Sequence, residues 1–252
     1  MFKRVIPSLL FDETGLVKGR RFGDHRPAGS LEGTLRALEA NEPDELLLLN
    51  RGSFGSFLEA IKSLGGIESP VSVGGGVETF LDARDLFQCG ADRVCLNTML
   101  MRSDKWSEID RIIDVYGSQA VVAVIDLKVN GGDFAVFDWR NLSVSEERAD
   151  EYLGKIKSRF MFNEICITVV DSEGCMSGID QSLKDFAPLN DPQNNIILGG
   201  GVGDYDQLSQ FMKFEGVSAI HAGALFTFTD SSPKRAAAYL SSKGIATKHS
   251  LR

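Results

Sequence analysis

A four-residue sequence, Gly-Gly-Gly-Val, occurs twice in this chain, at residues 74–77 and at residues 199–202. Each copy follows a short apolar run and precedes a stretch with helical character. The two copies lie half a chain length apart in a sequence of 252 residues. A repeat at this spacing predicts a fold assembled from two similar halves, each with a glycine turn between a strand and a helix.

Runs typical of strands alternate with runs typical of helices along the chain. The strand-like runs are residues 4–10, 45–49, 70–73, 94–96, 120–126, 164–170, 196–198 and 217–222. The helical stretches are residues 30–40, 54–64, 78–88, 106–116, 144–157, 180–186, 204–214 and 232–242, with Ser30 as the expected N-cap of the first. The continuous apolar run at 46–49 is typical of a parallel strand covered on both faces.

Eight strands and eight helices in alternation predict an α/β fold, a (β/α)8 TIM barrel with a two-fold half-barrel repeat. A doubly wound open sheet is the alternative. We expect one barrel over residues 1–252, with halves at 1–119 and 120–245 and a loose C-terminal tail that contains His249. Residues 12–29 are interpreted as a long polar loop, a candidate lid or substrate loop, and residues 130–137 as a small hairpin.

Charge and hydropathy argue against two classes of partner. The formal net charge is −8 at pH 7, which opposes nucleic-acid binding because phosphate contacts need clustered lysine and arginine. No apolar run approaches the roughly 20 residues that span a bilayer, and residues 1–7 are typical of a first strand rather than of a signal peptide. We therefore expect neither nucleic acid nor a membrane among the partners.

The cysteines and histidines favour structural roles. The four cysteines fit no zinc spacing and predict reduced thiols in a cytoplasmic protein, with a chemical role left open only for Cys175 in its loop. His221 lies inside a strand-like run and is expected to be a packed core residue. The three histidines form no metal-binding pattern, so we expect neither a metal nor a cofactor.

In a barrel of this kind, functional residues lie at the C-terminal ends of the strands. Two candidate phosphate sites follow, because bare backbone N–H groups at a helix N-terminus favour an anion. The first glycine site is Gly75, Gly76, Asn97 and Thr98, and the second is Gly200, Gly201, Gly223 and Ala224. One glycine turn alone could serve only a tight turn. Two copies at matching positions predict a small molecule with a phosphate at each end.

Acid–base chemistry between the two sites would need a pair of proton-transferring groups. Asp126 ends the fifth strand and could supply one of them. Its counterpart at the end of the first strand is Leu10, which cannot transfer a proton. Asp126 therefore has two open interpretations, a catalytic carboxylate or a structural one that caps a loop.

A set of short motifs spans nearly the whole sequence. In the first half they are Lys3-Arg4-Val5-Ile6-Pro7, Leu16-Val17-Lys18-Gly19, Phe22, Asp44-Glu45-Leu46, residues 73–77, Ala91-Asp92-Arg93-Val94 through Asn97, and Gly117-Ser118-Gln119. In the second half they are Val124-Ile125-Asp126, Glu164-Ile165, Asp171, Gly174, residues 199–203 and Ala224-Leu225-Phe226. In these motifs the chain resembles the cyclase subunit of imidazole glycerol phosphate synthase, the (β/α)8 partner of a glutaminase in histidine biosynthesis.

The resemblance implies a lyase reaction carried out by two aspartates at the ends of the first and fifth strands. Asp126 matches the second aspartate, but the first falls on Leu10. It also implies that Lys18 in the first loop touches a bound anion and that Gly174 contacts a phosphate. The family's Asp-Arg-Asp-Gly-Thr loop is Asp-Ser-Glu-Gly-Cys at residues 171–175, which leaves Glu173 and Asp171 as the nearest substitutes for the missing acid.

Two further departures fall on the same face. Asn50 stands where the family usually has an aspartate, and the threonine–glycine segment expected before the fifth helix is missing at residues 141–145.

The resemblance further implies a ring of four charged residues at the opposite end of the barrel, through which ammonia enters from the glutaminase. These positions are Arg4, Glu45, Arg93 and Glu164, with Arg93 in place of a lysine. Asp92 matches a family residue that faces the glutaminase. Charges at strand starts could also be merely solvated, but a match at all four positions favours the ring.

A group of paralogues is similar to this chain in having Leu-Leu, here Leu9-Leu10, in place of the first aspartate. Its members accompany a glutaminase and a sugar amidotransferase in acetamidino modification of surface polysaccharides such as lipopolysaccharide. We therefore expect a subunit that receives ammonia from a glutaminase for amidation of an acetamido sugar. The alternatives are an active cyclase of histidine biosynthesis with a substitute acid, and a non-catalytic barrel that binds a phosphorylated ligand.

Overall fold

The computed structural model describes residues 2–62 and 65–248, and within them the chain forms twelve strands. They are β1 (Arg4–Asp12), β2 (Gly15–Arg20), β3 (Gly23–Gly29), β4 (Leu46–Asn50), β5 (Val71–Gly74), β6 (Arg93–Leu96), β7 (Val121–Asn130), β8 (Asp133–Asp138), β9 (Ser143–Arg148), β10 (Glu164–Val169), β11 (Ile196–Gly199) and β12 (Val217–Ala222). Eight of these pair in parallel in the order β10-β11-β12-β1-β4-β5-β6-β7, and β7 pairs with β10. The closing pair makes the sheet a barrel, so the predicted (β/α)8 fold is confirmed and the open sheet is wrong.

Within the described residues, α-helices cover the outside of the barrel after every parallel strand except β10, and two of them follow β12. They are α1 (Leu31–Glu39), α2 (Phe54–Lys62), α3 (Phe80–Gln88), α4 (Trp106–Tyr116), α5 (Ala149–Phe160), α6 (Tyr205–Phe211), α7 (Ala224–Phe228) and α8 (Pro233–Ser242). The expected cap is present, since the Ser30 side chain accepts the N–H of Gly33. Helix α3 begins with a capping box between Thr79 and Asp82.

The apolar side chains form two separate clusters. The large one lies between the strands and the helices. A smaller one fills the inside of the barrel with Ile6, Leu47, Cys95, Val122, Val124, Cys166, Ile197 and Ala219, and Leu49 packs against it. This division follows from the alternation of side chains along each strand, and it makes the barrel interior a packed core rather than an open pore.

The predicted loop at residues 12–29 is wrong. Strand β1 continues to Asp12 and pairs antiparallel with β2, with Leu10 opposite Val17 and Phe11 opposite Leu16. Strand β2 then forms a hairpin with β3. Leu16 and Val17 are buried, and this is why a segment with many charged residues still adds strands to the sheet. Lys18 therefore lies on a strand, not in a loop.

The second half contains two differences from the expected pattern. The hairpin expected at 130–137 is present as β7–β8, but it continues into β9, so the following helix begins at Ala149 rather than at 144. The helix expected at 180–186 is replaced by two short 3-10 turns, Gln181–Asp185 and Ala187–Asn190, and a proline occupies the start of the second. His249 and the end of the helix predicted to reach Leu64 lie outside the described residues.

Across residues 2–62 and 65–248, each helix is too short or too polar to cross a membrane.

Candidate functional site

At the N-terminal end of the barrel, four charged side chains of alternating sign form a closed circuit, which we call the charged ring. Arg4 donates from Nη1 to Glu45 Oε2 at 2.8 Å and from Nη2 to Glu164. Arg93 donates to the other oxygens of the same two glutamates. Each arginine thus bridges both glutamates, and each glutamate accepts from both arginines. The four residues that the sequence predicted as a ring are brought together.

Two serines complete the charged ring. Ser72 Oγ donates to Glu45 Oε1 at 2.6 Å, and Ser218 Oγ donates to Glu164 Oε1 at 3.1 Å. The side chain of Glu45 is 3% exposed and that of Arg93 16%, so these charges lie largely out of water. Burial opposes the charge of Arg93, but the carboxylates of Glu45 and Glu164 outweigh it and raise the arginine pKa further above its usual value.

Asp92 and Asp44 hold the strand starts beside the charged ring. Asp92 Oδ2 accepts the backbone N–H of Val71 at 2.8 Å, and Asp44 Oδ2 accepts that of Val5 at 3.1 Å. Asp92 is otherwise exposed on this face. A depression leads from solvent to the charged ring, lined by Arg4, Arg93 and Glu164 together with Phe2, Gln119, Asn163, Asn195 and Ser218.

Above the charged ring, the inner cluster contains two cysteines, Cys95 and Cys166, that are 3% and 1% exposed. Burial raises the pKa of the Cys95 thiol to about 12 and raises that of Cys166 well above its usual value. All four cysteines of the chain are free. Neutral thiols and aliphatic side chains make this middle section of the barrel apolar.

At the C-terminal end, the second glycine site adjoins a small pocket. Gly200 and Gly201 have φ of +105° and +100°, the left-handed region that favours glycine. Gly223 and Ala224, where α7 begins, line the same pocket. A Cβ added to Gly223 would lie 3.0 Å from Lys18 Nζ, so the ammonium group lies directly beside this turn. The structure therefore brings Lys18 to the second glycine site.

The first glycine site is arranged around Asn50 and Asn97. Gly75 and Gly76 have φ of +99° and +79°, and a Cβ on Gly75 would overlap the backbone of Asn50. The amide of Asn50 is used within its own turn, where it accepts from Gly52 N at 2.9 Å. Asn97 Nδ2 donates to Val124 O at 3.1 Å and to Asp126, while its Oδ1 is buried without a partner among the described residues. Thr98 is half-buried beside it.

Asp126 is buried and held by two donors. Its Oδ2 accepts from Trp139 Nε1 at 2.6 Å and from Asn97 Nδ2 at 2.9 Å. Burial raises the pKa of this carboxyl to about 6, an effect that the two hydrogen bonds oppose and that the charge of Glu173 reinforces. Leu10 is paired with Val17 and Leu49 and offers no group for proton transfer.

Both carboxylate oxygens of Glu173 have partners in the structure. Its Oε1 pairs with Lys18 Nζ, and its Oε2 accepts the backbone N–H of Phe22 at 3.2 Å. Its carbonyl accepts Arg21 N at 2.8 Å, which ties the β2–β3 hairpin to the 171–175 loop. Gly174 has φ of +69°, and a Cβ there would overlap the carbonyl of Gly19, so glycine is needed for this close approach. Cys175 Sγ donates to the Glu173 carbonyl at 3.5 Å.

The sequence did not indicate a role for Trp139, which lies in the turn between β8 and β9. Its contact with Asp126 depends on how this hairpin folds over the barrel. The indole contacts Phe22 edge-on, with ring centroids 4.6 Å apart, and Phe137 at 4.7 Å. Phe22 is at the tip of the β2–β3 hairpin, so the two hairpins meet above Asp126. The adjacent Arg21 and Phe22 have φ of 50° and 59°, a strained turn for residues other than glycine.

The sequence also did not indicate the polar contacts of His221. The ring nitrogen Nε2 lies 3.1 Å from Thr168 Oγ1, and Nδ1 lies 3.3 Å from Ser8 Oγ. Burial, helped by the charge of Lys18, lowers the pKa of this imidazole to about 4. A Cβ on Gly199 would overlap the imidazole, so the first glycine of the second turn makes room for it. His221 is the packed residue that the sequence predicted, in a polar setting that it did not.

A closed eight-stranded barrel with a glycine turn at the same place in each half, and a charged ring at the other end, defines a (β/α)8 barrel protein of the half-barrel repeat class. The chain belongs to the family described as histidine biosynthesis protein, whose family model matches residues 4–231.

Its relatives resemble it over almost their full length. The imidazole glycerol phosphate synthase subunit HisF of Prosthecochloris aestuarii is 32% identical over 256 residues, covering 98% of each chain. The protein of the same name from Pelodictyon phaeoclathratiforme is 32% identical over 253 residues, again with 98% of each chain covered. That from Dictyoglomus thermophilum is 30% identical over 251 residues, covering 96% of this chain and 97% of its own.

Proposed function

We propose that this chain is an ammonia-conducting barrel subunit that docks a cytoplasmic glutaminase at its N-terminal end and delivers ammonia for amidation of an acetamido sugar. The observation that carries the proposal is the charged ring. Two arginines and two glutamates, at or just before the starts of β1, β4, β6 and β10, close the barrel where its interior begins. Burial of charged side chains costs desolvation free energy, and apolar side chains of similar size often stabilise a fold as well. We therefore infer that these four charges serve a function beyond stability.

The remaining path suits a small neutral molecule. Above the charged ring lies the apolar inner cluster, and above that the polar side chains of Ser8, Thr168 and His221. Ammonia is uncharged and small enough to pass between side chains that move slightly, whereas ammonium would lose its hydration in the apolar section. The depression in front of the charged ring is where a glutaminase would deliver it.

The cyclase reaction itself is disfavoured at the other end. Leu10 replaces one of the two acids that the resemblance implies, and Glu173 is bound to Lys18 rather than free to replace it. Ammonia that reaches the opening would therefore be used by another enzyme. The pair Leu9-Leu10 is what links the chain to the paralogues of acetamidino-sugar modification, and this link supports the choice of sugar. The glycine sites remain candidates for a phosphorylated ligand of that reaction.

The test is to mix the purified chain with the glutaminase encoded in the same genome and to measure glutamine hydrolysis. We expect a complex and a faster hydrolysis. The proposal would be abandoned if the two proteins formed no complex and the hydrolysis rate stayed the same.

The second candidate is an active cyclase of imidazole glycerol phosphate synthase, a lyase. The specific observation in its favour is Asp126, which retains a buried carboxyl with a pKa near 6 and two hydrogen-bond donors. Loss of one positioned acid costs about 10²–10⁴ in rate. Expression in a histidine auxotroph that lacks its cyclase distinguishes the two, because growth would favour the cyclase. A non-catalytic barrel would instead bind a bisphosphorylated ligand without stimulating the glutaminase.

A further inference from the structure

Three connections on the C-terminal end of the barrel form one continuous surface. Phe22 on the β2–β3 hairpin contacts Trp139 after β8. Arg21 Nε donates to the carbonyl of Asp171 at 2.9 Å, and the N–H of Val129 donates to the carboxylate of the same residue at 2.9 Å. On the other side of the hairpin, the Arg26 guanidinium lies 5.9 Å from the ring centre of Phe228, at the end of α7. These contacts join the segments 15–29, 127–148 and 224–232.

The β2–β3 hairpin of this surface is basic in an acidic protein. Residues 15–29 carry Lys18, Arg20, Arg21 and Arg26 against one acid, Asp24, whereas the chain as a whole has a net charge of −8. Lys18 is paired inside with Glu173, but the three arginines are exposed. Within residues 2–62 and 65–248, the side chain of Arg20 has no hydrogen bond, ion pair or ring contact. The guanidinium of Arg20 is therefore available to pair with an acidic group of another protein.

The segments that form this surface also expose apolar side chains. Leu142 is 72% exposed, Phe228 48% and Val129 38%. Large apolar side chains and arginines together are the composition that protein interfaces favour over the rest of a protein surface. A small anion would instead be expected at the recessed glycine turns, where backbone N–H groups are available. Nucleic acid is opposed by the overall negative charge.

We propose that this surface, formed by Arg20, Arg21, Arg26, Val129, Leu142 and Phe228, docks the protein that consumes the ammonia, and that this protein presents an acidic patch. The inference rests on the proposed function, because it needs ammonia to leave the barrel at this end. The aromatic contact between Phe22 and Trp139 lies over Asp126 at this end of the barrel, and a protein docked here would place its own active site next to the opening. The glutaminase and the acceptor then occupy opposite ends of one barrel.

The experiment measures direct binding between this chain, in complex with its glutaminase, and the purified acetamido-sugar amidotransferase from the same genome, by surface plasmon resonance without glutamine. Arg20→Glu places an acid in the centre of the basic hairpin, and we expect its association rate to fall about tenfold, because like charges weaken electrostatic steering. Raising the salt concentration should slow association of the native chain more than that of the variant. Lys184→Glu is the matched control, an exposed charge reversal on the side of the barrel, and should bind as the native chain does.

Two other readouts separate the possible failures. Stimulation of glutamine hydrolysis should be the same for the native chain and Arg20→Glu, because the hairpin is at the opposite end from the charged ring. If the native chain fails to stimulate the glutaminase, the proposed function falls, whatever the docking result. Docking at this surface is overturned if the amidotransferase does not bind, or if Arg20→Glu associates no more slowly than Lys184→Glu. It is also overturned if the surface instead binds vesicles of anionic phospholipid.

Discussion

The indole of Trp139 affects the proton affinity of the buried Asp126 carboxyl directly. The indole N–H and the amide of Asn97 both donate to one oxygen of the carboxylate. Each donor favours the charged form, while burial favours the neutral one. The pKa of about 6 is the balance of these effects, and it can be tested by replacing either the carboxyl or its indole donor.

Replacing Asp126 by asparagine should change how stability depends on pH. The folded-state pKa lies above the usual value of 3.8, so the unfolded chain loses its proton first and the carboxyl destabilises the fold as pH rises from about 4 to 6. Relative to Asp126→Asn, the free energy of unfolding of the native protein should fall by about 3 kcal/mol over that range. Urea unfolding of both proteins at several pH values measures this, and a constant difference would contradict it.

Removing the indole donor should shift the same pKa upward. Trp139→Phe retains an aromatic ring against Phe22 but loses the N–H to Asp126, so burial is less opposed. We expect the Asp126 pKa to rise by about one unit in a carbon-13 NMR titration. Phe137→Leu is the control, because it changes the packing of the indole and keeps the donor. Equal pKa values in native protein and Trp139→Phe would show that the hydrogen bond is weak.

Elements whose side chains alternate or repeat clearly could be predicted from the sequence. The barrel strands and most of the helices are of this kind, because their apolar residues follow the periods of a strand or of a helix. The β2–β3 hairpin escaped prediction because its turn is Arg21-Phe22 rather than an asparagine–glycine pair, and its partner is a distant loop. The helix predicted at residues 180–186 was wrong. The chain forms two short 3-10 turns there, and Pro188, in the second turn, lacks the backbone N–H that would continue a helix.

The turn between β11 and α6 provides an element-scale prediction. Gly199→Ala places a methyl group against the His221 imidazole, and overpacking of this kind destabilises by about 1–3 kcal/mol. In a His221→Ala background, the ring is absent and most of this loss should disappear. Gly200→Ala is the matched control: its Cβ would lie 2.5 Å from the carbonyl oxygen of Val169, so the second substitution should not rescue it. A double-mutant cycle by urea unfolding decides between coupling and independence.

Across the whole molecule, the charged ring connects residues that are far apart in sequence. The resemblance to a family predicted its four members by position, and the structure brings all four into contact. It did not predict Ser72 and Ser218, since a serine at a strand start carries no signal by itself. The alternation of eight strand-like and eight helical stretches predicted the closed barrel. Contacts between the hairpins over Asp126 could not be predicted, because they depend on how the loops fold onto each other.

Breaking the charged ring should destabilise the whole barrel. Arg93→Met leaves Glu45 buried with only Arg4 as its cation, and removal of one partner of a buried ion pair costs about 3–5 kcal/mol. Because Arg93 is partly exposed, we expect the free energy of unfolding at pH 7 to decrease by an amount at the lower end of that range. Arg93→Lys keeps the charge and should lose less. Equal loss in both variants would mean that shape matters more than charge.

The two thiols on the barrel axis have a practical consequence. Cys95 and Cys166 can meet a reagent in solution only when one end of the barrel opens, whereas Cys89 and Cys175 are partly exposed in the resting protein. The rate at which iodoacetamide labels Cys95 and Cys166, relative to the rate for Cys89 and Cys175, therefore measures how often the barrel opens. If a bound glutaminase opens the charged ring, it should quicken labelling of Cys95 and Cys166 and leave the two reference thiols unchanged, as read by mass spectrometry.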